Sequence, residues 1–307
     1  MDDLKRAIRR SFERAAATYE EAAFLQKEVV LRLDEHLDGV KLDPALILDA
    51  GCGTGFAYDL LKARFPRASV LGLDIAHAML RVASDRHGQA HGWRKWVSRL
   101  NPRPTPFTPI CADMERMPLQ SNCVDLAWSS LALQWVDDLE ATFRGVHRVL
   151  KPGGLFLFAS FGPDTLKELR AASNGIDDYH HVNRFIDMHD VGDALVHAGF
   201  AQPVMEMEHI TLTYAELSGL LRDLKAIGAH TVKQGARGGL MGRVAWSQLQ
   251  QNYERFRQDG RLPATYEVVY GHAWAGAKAR LEDGRQVIQF RKRGGEMPLS
   301  TPRSPLS

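Results

Sequence analysis

Apolar residues recur at helical spacing along the first 37 residues of the chain. A first series comprises Leu4, Ile8, Phe12, Ala15 and Tyr19, and a second comprises Leu25, Val29, Leu33 and Leu37. Residues spaced by three or four positions share one face of a helix. The pattern therefore predicts one or two amphipathic helices over residues 3–37.

Beyond residue 45 the pattern changes to short apolar runs separated by amphipathic stretches. The runs lie at 46–48, 70–73, 107–111, 124–128 and 155–160, and the amphipathic stretches at about 56–65, 76–86 and 134–150. Two later strands are predicted at 204–213 and 265–273. Short buried strands that alternate with helices are typical of a parallel sheet covered on both faces, so the predicted fold class is α/β.

Two segments do not follow this alternation. Residues 87–106 contain two tryptophans, three prolines and several bases without any acid, which predicts an inserted basic loop. Residues 214–258 carry leucines at helical spacing between the two late strands, and they are predicted to form an inserted helical cap over the active-site end of the sheet. The polar residues 291–307 are expected to form a flexible tail.

Composition and charge narrow the classes of partner. The 307 residues are 45% hydrophobic, and their net charge is only +2, so no overall field directs the chain to nucleic acid or membrane. Its three cysteines form no CxxC pair, which argues against a disulfide framework and fits a reducing cytoplasm. Since no stretch approaches the roughly 20 apolar residues needed to cross a bilayer, we expect a cytoplasmic protein.

The sharpest motif is the glycine-rich turn Leu48-Asp49-Ala50-Gly51-Cys52-Gly53-Thr54-Gly55, between a predicted strand and a predicted helix. Glycines let the backbone approach a ligand closely, and the free amides at a helix start favour negative groups. A phosphate-binding P-loop would need a Gly-Lys-Ser/Thr ending, which is absent. The spacing is GxGxG rather than the GxGxxG of dinucleotide-binding proteins, and Asp74 would bind ribose hydroxyls in either case.

This turn resembles the first motif of the class I S-adenosylmethionine-dependent methyltransferases. Three further matches follow in order: Cys111-Ala112-Asp113-Met114 after the third strand, Ser129-Ser130-Leu131 after the fourth, and the LKPGG turn at 150–154. The resemblance implies a Rossmann-like, mostly parallel sheet of seven strands with helices on both faces. It also implies that S-adenosylmethionine is bound by Asp49, Gly51, Gly53, Gly55, Asp74, Ile75, Asp113, Met114, Ser129 and Leu131. In that family the glycines cradle the methionine part, Asp74 the ribose and Asp113 the adenine amino group, while Cys52 is expected to be a packing residue.

Further strings resemble the methyltransferases that act on malonyl-acyl carrier protein in biotin synthesis. They comprise Ser11 to Ala16 with Tyr19 and Leu25-Gln26, Leu131 to Trp135, His181 to Phe185, Asp187 to Asp190, Asp223 to His230 and Leu262 to Trp274. The resemblance covers about 10–275. It implies N-terminal lid helices within 1–40, a methyltransferase domain at 41–290, and methyl transfer to the free carboxyl of a malonyl thioester, on acyl carrier protein or coenzyme A.

A carboxylate nucleophile is already ionised at neutral pH, so this transfer needs a positioned cation rather than a general base. Arg184 is the first candidate for that cation, with Lys225 and Arg14 as weaker alternatives, and Tyr19 is expected to close over the cofactor. A metal site is not predicted: the histidines and aspartates at 180–190 lack ligand spacing such as HExxH, and capping or surface roles are expected for them.

Acyl carrier protein is small and acidic, so basic clusters should contact it. The candidates are Arg94, Lys95, Arg99 and Arg103 in the predicted loop, and Lys5, Arg6, Arg9 and Arg10 at the N-terminus. Two alternatives remain open at this level: methylation of another small molecule such as a quinone ring, and a non-catalytic scaffold that binds the cofactor. The near-neutral charge argues against a nucleic-acid partner, and no stable membrane association is expected.

Overall fold

Among the residues that the structure describes (3–87, 107–176, 182–183, 185–228 and 242–276), seven strands form one sheet in the computed structural model. The strand order is β3-β2-β1-β4-β5-β7-β6. The strands are β1 Leu46–Ala50, β2 Ser69–Asp74, β3 Thr108–Cys111, β4 Val124–Ser130, β5 Leu150–Phe161, β6 Ala201–Tyr214 and β7 Leu262–Trp274. Only β7 runs antiparallel to its neighbours β5 and β6, and the predicted mostly parallel α/β sheet is confirmed.

Helices cover both faces of this sheet. They are α1 Asp3–Ala15, α2 Tyr19–Ala22, α3 Phe24–Glu35, α4 Phe56–Arg64, α5 His77–His87, α6 Leu139–Val149, α7 Lys167–Ser173, α8 Met188–His197, α9 Leu217–Ala226 and α10 Arg243–Glu254. Successive side chains of a strand point to opposite faces. Leu126 and Trp128 of β4 accordingly pack with α3 and α4, whereas Ala127 between them packs with α6 and α8.

The N-terminal helices are attached to the rest of the fold by polar contacts. Glu13 of α1 accepts hydrogen bonds from the backbone amides of His77 and Ala78, at 2.9 Å each, where α5 begins. A carboxylate at this position satisfies unpaired amides and complements the helix dipole. On the other side of α1, the Ser11 hydroxyl donates to the carbonyl of Gly228 at 3.0 Å.

Several predicted boundaries differ from the observed ones. The segment 3–37 forms three helices rather than one or two. The LKPGG turn lies within β5, because Gly153 and Gly154 exchange backbone hydrogen bonds with Ala275 instead of leaving the sheet. Of the predicted basic loop 87–106, only His87 is described, as the end of α5, and the predicted tail 291–307 also lies outside the described residues.

The predicted cap 214–258 contains two helices, α9 and α10, and residues 229–241 between them lie outside the described part of the chain. The end of α9 contacts the N-terminal helices, where the Thr18 hydroxyl donates to the carbonyl of Ala226 at 3.2 Å. Helix α10 packs on α7, and Asn252 donates to the carbonyl of Ala172 at 2.8 Å. The described part of this segment therefore packs against the N-terminal helices and against α7.

A close packing contact makes the junction between β5, β7 and β6 sensitive to one methyl group. A Cβ atom at Gly271 would lie 2.3 Å from the buried Phe158 ring and 2.8 Å from the sulfur of Met205. We expect Gly271→Ala to lower the free energy of unfolding by about 1–3 kcal/mol, because the ring must leave its packed position. Chemical denaturation monitored by circular dichroism measures the change.

Gly192→Ala in α8 is the matched control. Its added Cβ would meet its nearest described atom at 3.8 Å, an ordinary contact. Because alanine favours helix over glycine, this substitution should raise the free energy of unfolding by up to about 1 kcal/mol. Equal effects of the two substitutions would contradict the packing argument.

Candidate functional site

The candidate site lies where four neighbouring parallel strands end. Strands β3, β2, β1 and β4 are aligned in register, so residues at their carboxyl ends meet along one edge of the sheet. Asp49 and Asp74 lie in the last two residues of β1 and β2, and Asp113 follows β3 by two residues. In doubly wound sheets this edge, where the connections diverge to opposite faces, is where ligands bind.

The glycine turn after β1 is closed against the end of β2. The amides of Gly51 and Cys52 both donate to the carbonyl of Leu73, at 2.7 and 3.1 Å. Gly51 has a φ of +81°, and a Cβ on it would lie 2.2 Å from the Cβ of Ala132. Only glycine fits between these segments, whereas Gly53 faces open space.

A cavity of about 660 Å³ opens beside this turn, and we call it the first lobe. Its lining comprises Lys5, Ile8, Phe12, Tyr19, Gly51, Gly53, Leu73, Asp74, Ile75, Met79, Ala112, Asp113, Met114, Ser130, Leu131, Ala132, Trp135 and Val136. The apolar walls with a few carboxylates are typical of a small-molecule site. Helix α1 provides one wall, so the N-terminal segment is part of the cavity.

A second lobe of about 460 Å³ adjoins the first. Its lining comprises Tyr19, Glu20, Ala23, Gln26, Lys27, Val30, Asp49, Gly51, Cys52, Gly53, Thr54, Phe56, Ala57, Trp128 and Ser130. Tyr19, Gly51, Gly53 and Ser130 line both lobes, and they therefore mark the junction between them.

Four polar groups of the second lobe are buried without a hydrogen-bond partner among the described residues. They are the Gln26 Oε1, Asp49 Oδ2, Trp128 Nε1 and Ser130 Oγ atoms. Buried polar atoms are nearly always paired, and four unpaired atoms around one cavity indicate a polar ligand there. The Gln26 Oε1 atom can only accept a hydrogen bond, and so can the Asp49 Oδ2 atom when Asp49 is ionised. The Trp128 indole can only donate. The ligand must therefore carry both donors and acceptors.

The two carboxylates beside the glycine turn are electrostatically unusual. Burial raises the pKa of Asp49 to about 8, and the nearby Asp74 adds to the shift. Burial also raises the pKa of Asp74 to about 6, although its oxygens accept from the amides of Gly53 at 2.9 Å and Ala76 at 2.8 Å. A cationic ligand group would favour the ionised form of both carboxylates.

Asp113 lies on the opposite wall of the first lobe. Its Oδ1 accepts from the amide of Glu115 at 3.0 Å and from the Lys5 ammonium at 3.3 Å. Met114 is buried beside it, and Ile75 follows Asp74 on the adjoining wall. The predicted acceptor after β3 therefore faces the cavity.

Comparison with known proteins decides which family this cavity belongs to. A family profile described as a methyltransferase domain matches residues 48–158. The malonyl-[acyl-carrier protein] O-methyltransferase of Laribacter hongkongensis is 53% identical over 289 residues, covering 93% of this chain and 95% of that protein. The same enzyme of Gallionella capsiferriformans is 51% identical, covering 93% and 96% of the two chains.

The chain belongs to the malonyl-[acyl-carrier protein] O-methyltransferase family. It is an S-adenosylmethionine-dependent methyltransferase, as the glycine turn and its three companion motifs predicted.

Solved structures confirm the methyltransferase fold. The YcgJ protein from Bacillus subtilis matches with a TM-score of 0.54 at 15% identity, covering 80% of this chain and 98% of that one. A phosphoethanolamine N-methyltransferase from Haemonchus contortus, in complex with phosphomonomethylethanolamine and S-adenosylhomocysteine, matches with a TM-score of 0.52 at 16% identity. It covers 90% of this chain and 61% of that one. At these identities the similarity concerns the fold alone.

Most of the predicted cofactor residues of the methyltransferase line the two lobes. Those that do are Asp49, Gly51, Gly53, Asp74, Ile75, Asp113, Met114 and Leu131, and Tyr19, predicted to close over the cofactor, lines both lobes. Two others require correction. Ser129 is fully buried and donates to the carbonyl of Ala50 at 2.8 Å, so its neighbour Ser130 reaches the cavity instead. Gly55 lies at the start of α4, where its carbonyl contacts the His87 ring at 2.9 Å.

The basic residues predicted to contact the substrate or the carrier protein occupy different environments. Arg184 lies outside the described residues, and Arg14 and Lys225 are exposed and line neither lobe. Lys5, predicted as a contact for the carrier protein, is instead 5% exposed and lines the first lobe. Its position between Leu4 and Ile8, on the apolar side of α1, was the sequence signal for burial.

Capping and packing predictions are also resolved. Asp187 begins α8 and accepts from the amide of His189 at 2.8 Å, which confirms a capping role. His189 and Asp190 are exposed, whereas His180 and His181 lie outside the described residues. Cys52 is buried in the packing around the glycine turn, where burial raises the pKa of its thiol, so the thiolate is disfavoured. Sequence reasoning missed Gln26 and Trp128, because only the folded chain shows that their polar atoms lack partners.

The raised pKa of Asp49 predicts a stabilising substitution. Between the pKa of 3.8 in an unfolded chain and about 8 in the folded one, the folded state holds a proton that the unfolded state loses. Stability therefore falls as pH rises through this window. We expect Asp49→Asn to raise the melting temperature of the ligand-free protein, by about 2–4 °C for each kcal/mol regained, and more at pH 8 than at pH 5.

Asp125→Asn is the control with the opposite sign. Although burial acts upward, hydrogen bonds from Lys151 and from the amides of Leu46 and Ala45 lower the pKa of Asp125. Its ionised form stabilises the fold above about pH 4. Asp125→Asn should melt at a lower temperature than the wild type at pH 8. A destabilising effect of Asp49→Asn would show that the ionised carboxylate at position 49 does not destabilise the fold.

Proposed function

We propose that this enzyme transfers the methyl group of S-adenosylmethionine to the free carboxyl of malonyl-acyl carrier protein. The methyl ester primes pimeloyl formation in biotin synthesis. The observation that carries the proposal is the 53% identity, over 93% of the chain, to a malonyl-[acyl-carrier protein] O-methyltransferase. The walls of the two lobes support it, because they complement the chemistry of S-adenosylmethionine.

The adenosyl group occupies the first lobe in this proposal. Asp74 accepts from the ribose hydroxyls, since the amides of Gly53 and Ala76 already orient its carboxylate. Asp113 accepts from the adenine amino group, and Ile75 and Met114 contact the ring. These are the groups that an uncharged, flat ligand with a few donors requires.

The methionyl part occupies the second lobe. The Asp49 carboxylate and the Gln26 carbonyl oxygen accept from the ammonium group, whereas the Trp128 indole and the Ser130 hydroxyl donate to the carboxylate. Each of the four unpaired atoms thereby gains a partner of the right kind.

Asp49→Asn should accordingly weaken binding of S-adenosylhomocysteine while it stabilises the ligand-free fold.

The reaction is an in-line displacement at the methyl carbon. A malonyl carboxylate oxygen forms a bond to the methyl carbon while the bond between that carbon and the sulfonium sulfur breaks. The electron pair of the broken bond stays on sulfur. No proton moves, so the site needs no base; it must align the carboxylate and exclude water. Tyr19 lies at the junction of the lobes, and burial, with Asp74 and Glu20 nearby, raises the pKa of its hydroxyl. Tyr19 therefore acts as a hydrogen-bond donor.

The carboxylate clamp remains assigned to Arg184. Although Arg184 lies outside the described residues, the residues that flank it support the assignment. Asn183 is 9% exposed, and its Oδ1 has no hydrogen-bond partner among the described residues. The Phe185 ring contacts the Phe161 ring edge-on at 5.6 Å, at the end of β5. The chain beside Arg184 is thus anchored near the carboxyl end of the sheet.

The acidic carrier protein requires exposed bases near the cavity mouth. The N-terminal cluster offers few: Lys5 is buried, and Arg6 and Arg9 pair with Asp3 and Glu13 of the same helix. The bases of residues 94–103 lie outside the described residues and remain the proposed contact. Within the described ranges, no helix is both long and apolar enough to cross a bilayer.

An intact-mass assay tests the proposed reaction. Malonyl-acyl carrier protein incubated with the enzyme and S-adenosylmethionine should gain the mass of about one methylene group, and an esterase should remove it. Holo-acyl carrier protein without the malonyl group is the control, because it lacks the free carboxyl. No gain, with cofactor binding verified by calorimetry, would rule out this acceptor.

Arg184→Ala tests the clamp. If Arg184 holds the substrate carboxylate, its loss should raise the KM for malonyl-acyl carrier protein at least about tenfold, the value of one charge-assisted hydrogen bond. The Kd for S-adenosylhomocysteine should change little. Arg14→Ala, at an exposed site on α1, is the matched control and should leave both constants near wild type. An unchanged substrate KM in Arg184→Ala would remove this residue from the site.

A further inference from the structure

Lys5 is a buried lysine on the wall of the first lobe. Only 6% of its side chain is exposed, and it lies on the inner face of α1 with Ile8, Ser11 and Ala15. Burial of an ammonium group is costly unless it is paired. A methionine or leucine would fill this position on an apolar helix face at lower cost, so the charge needs a reason.

The partners of Lys5 connect three walls of the cavity. Its ammonium lies 3.3 Å from Asp113 Oδ1 and 2.9 Å from Glu115 Oε2. The other oxygen of Glu115 accepts from the amides of Asp137 and Asp138. These residues end the segment 131–138, of which Leu131, Ala132, Trp135 and Val136 line the same lobe.

A second contact joins the same two segments. The Phe12 ring of α1 meets the Trp135 ring edge-on, with centroids 5.2 Å apart. Helix α1 is therefore attached to the cavity wall by an aromatic contact and an ionic one. Other contacts of α1 also hold the helix, since Glu13 accepts from the amides of His77 and Ala78 and Ser11 donates to Gly228, so attachment of the helix does not depend on the Lys5 charge alone.

The role of the charge follows from which oxygen Lys5 engages. Both Lys5 and the Glu115 amide use Asp113 Oδ1, so the carboxylate is held from one side. Within the described part of the chain no donor engages its Oδ2, which can therefore accept from a donor in the cavity. Two donors on one oxygen restrict rotation of the carboxylate and orient the free oxygen.

We propose that Lys5 is a positioning residue, which couples closure of α1 over the adenosyl group to the orientation of Asp113 as the acceptor for the adenine amino group. The proposal rests on the placement of the adenosyl group given above. Adenine is recognised correctly only when α1 is closed, so the helix contributes to the selection of the nucleoside.

Calorimetry with two ligands tests this role. S-adenosylhomocysteine carries the amino donor, and S-inosylhomocysteine replaces it with a carbonyl oxygen that Asp113 repels. Lys5→Met should raise the Kd for S-adenosylhomocysteine by about tenfold. The preference for S-adenosylhomocysteine over S-inosylhomocysteine should shrink by about threefold or more, because the acceptor is no longer oriented.

Arg6→Met is the matched control, since it removes a cation from the solvent side of the same helix turn and should leave both Kd values near wild type. An unchanged Kd in Lys5→Met overturns the proposal. So does an equal loss for both ligands, which would mean that Lys5 only attaches the helix. If Lys5→Met does not melt cooperatively, Lys5→Leu, which also removes the donor to Asp113 but is shorter, must show the same loss of preference.

The outcomes separate this proposal from the proposed function. The two-ligand comparison uses no methyl acceptor, so it is independent of whether malonyl-acyl carrier protein is the substrate. Absence of any preference in the wild type would contradict the adenosyl placement and overturn the role of Lys5 with it. A wild type that prefers S-adenosylhomocysteine yet leaves malonyl-acyl carrier protein unmethylated would overturn only the acceptor.

Discussion

The backbone of the glycine turn is held against the end of β2, and the rest of the site is arranged around that contact. The carbonyl of Leu73 accepts from two successive amides, and the Asp74 carboxylate accepts from a third, that of Gly53. These bonds set the distance between β1 and β2 at their carboxyl ends. Because Ala132 then packs directly on Gly51, the segment after β4 is positioned by the same turn.

Tight packing at this edge brings two carboxylates into low-dielectric surroundings. Burial raises the pKa of both Asp49 and Asp74, which shows that the fold alone does not stabilise their charges. Functional sites often contain such groups, since a ligand of opposite charge restores the balance. The Trp128 indole in the same lobe can only donate, so a cation alone would leave it unpaired, whereas the proposed methionyl group carries both charges.

The N-terminal helices form part of the cavity wall. Glu13 binds the start of α5, Ser11 binds Gly228, and Lys5 reaches Asp113, so α1 contacts three separate parts of the methyltransferase domain. The end of α9 contacts the N-terminal helices, where the carbonyl of Ala226 accepts from the Thr18 hydroxyl. Because Lys5, Ile8 and Phe12 line the first lobe, displacement of α1 would expose it.

The α/β class and the order of strands and helices could be predicted from the sequence because they depend on local periodicity, and the contiguous glycine motif located the edge of the sheet where the cavity lies. Asp74 was found because it ends the second apolar run, whereas Asp49 and Asp113 were assigned through the resemblance to the methyltransferase motifs. Tertiary structure alone decided which side of a strand reaches the cavity, so Ser130 rather than Ser129 lines it. It also decided that Lys5 reaches Asp113 and Glu115, and that polar atoms of Gln26 and Trp128 have no partner among the described residues. The pairing of a polar atom depends on distant segments, so no local pattern of residues records it.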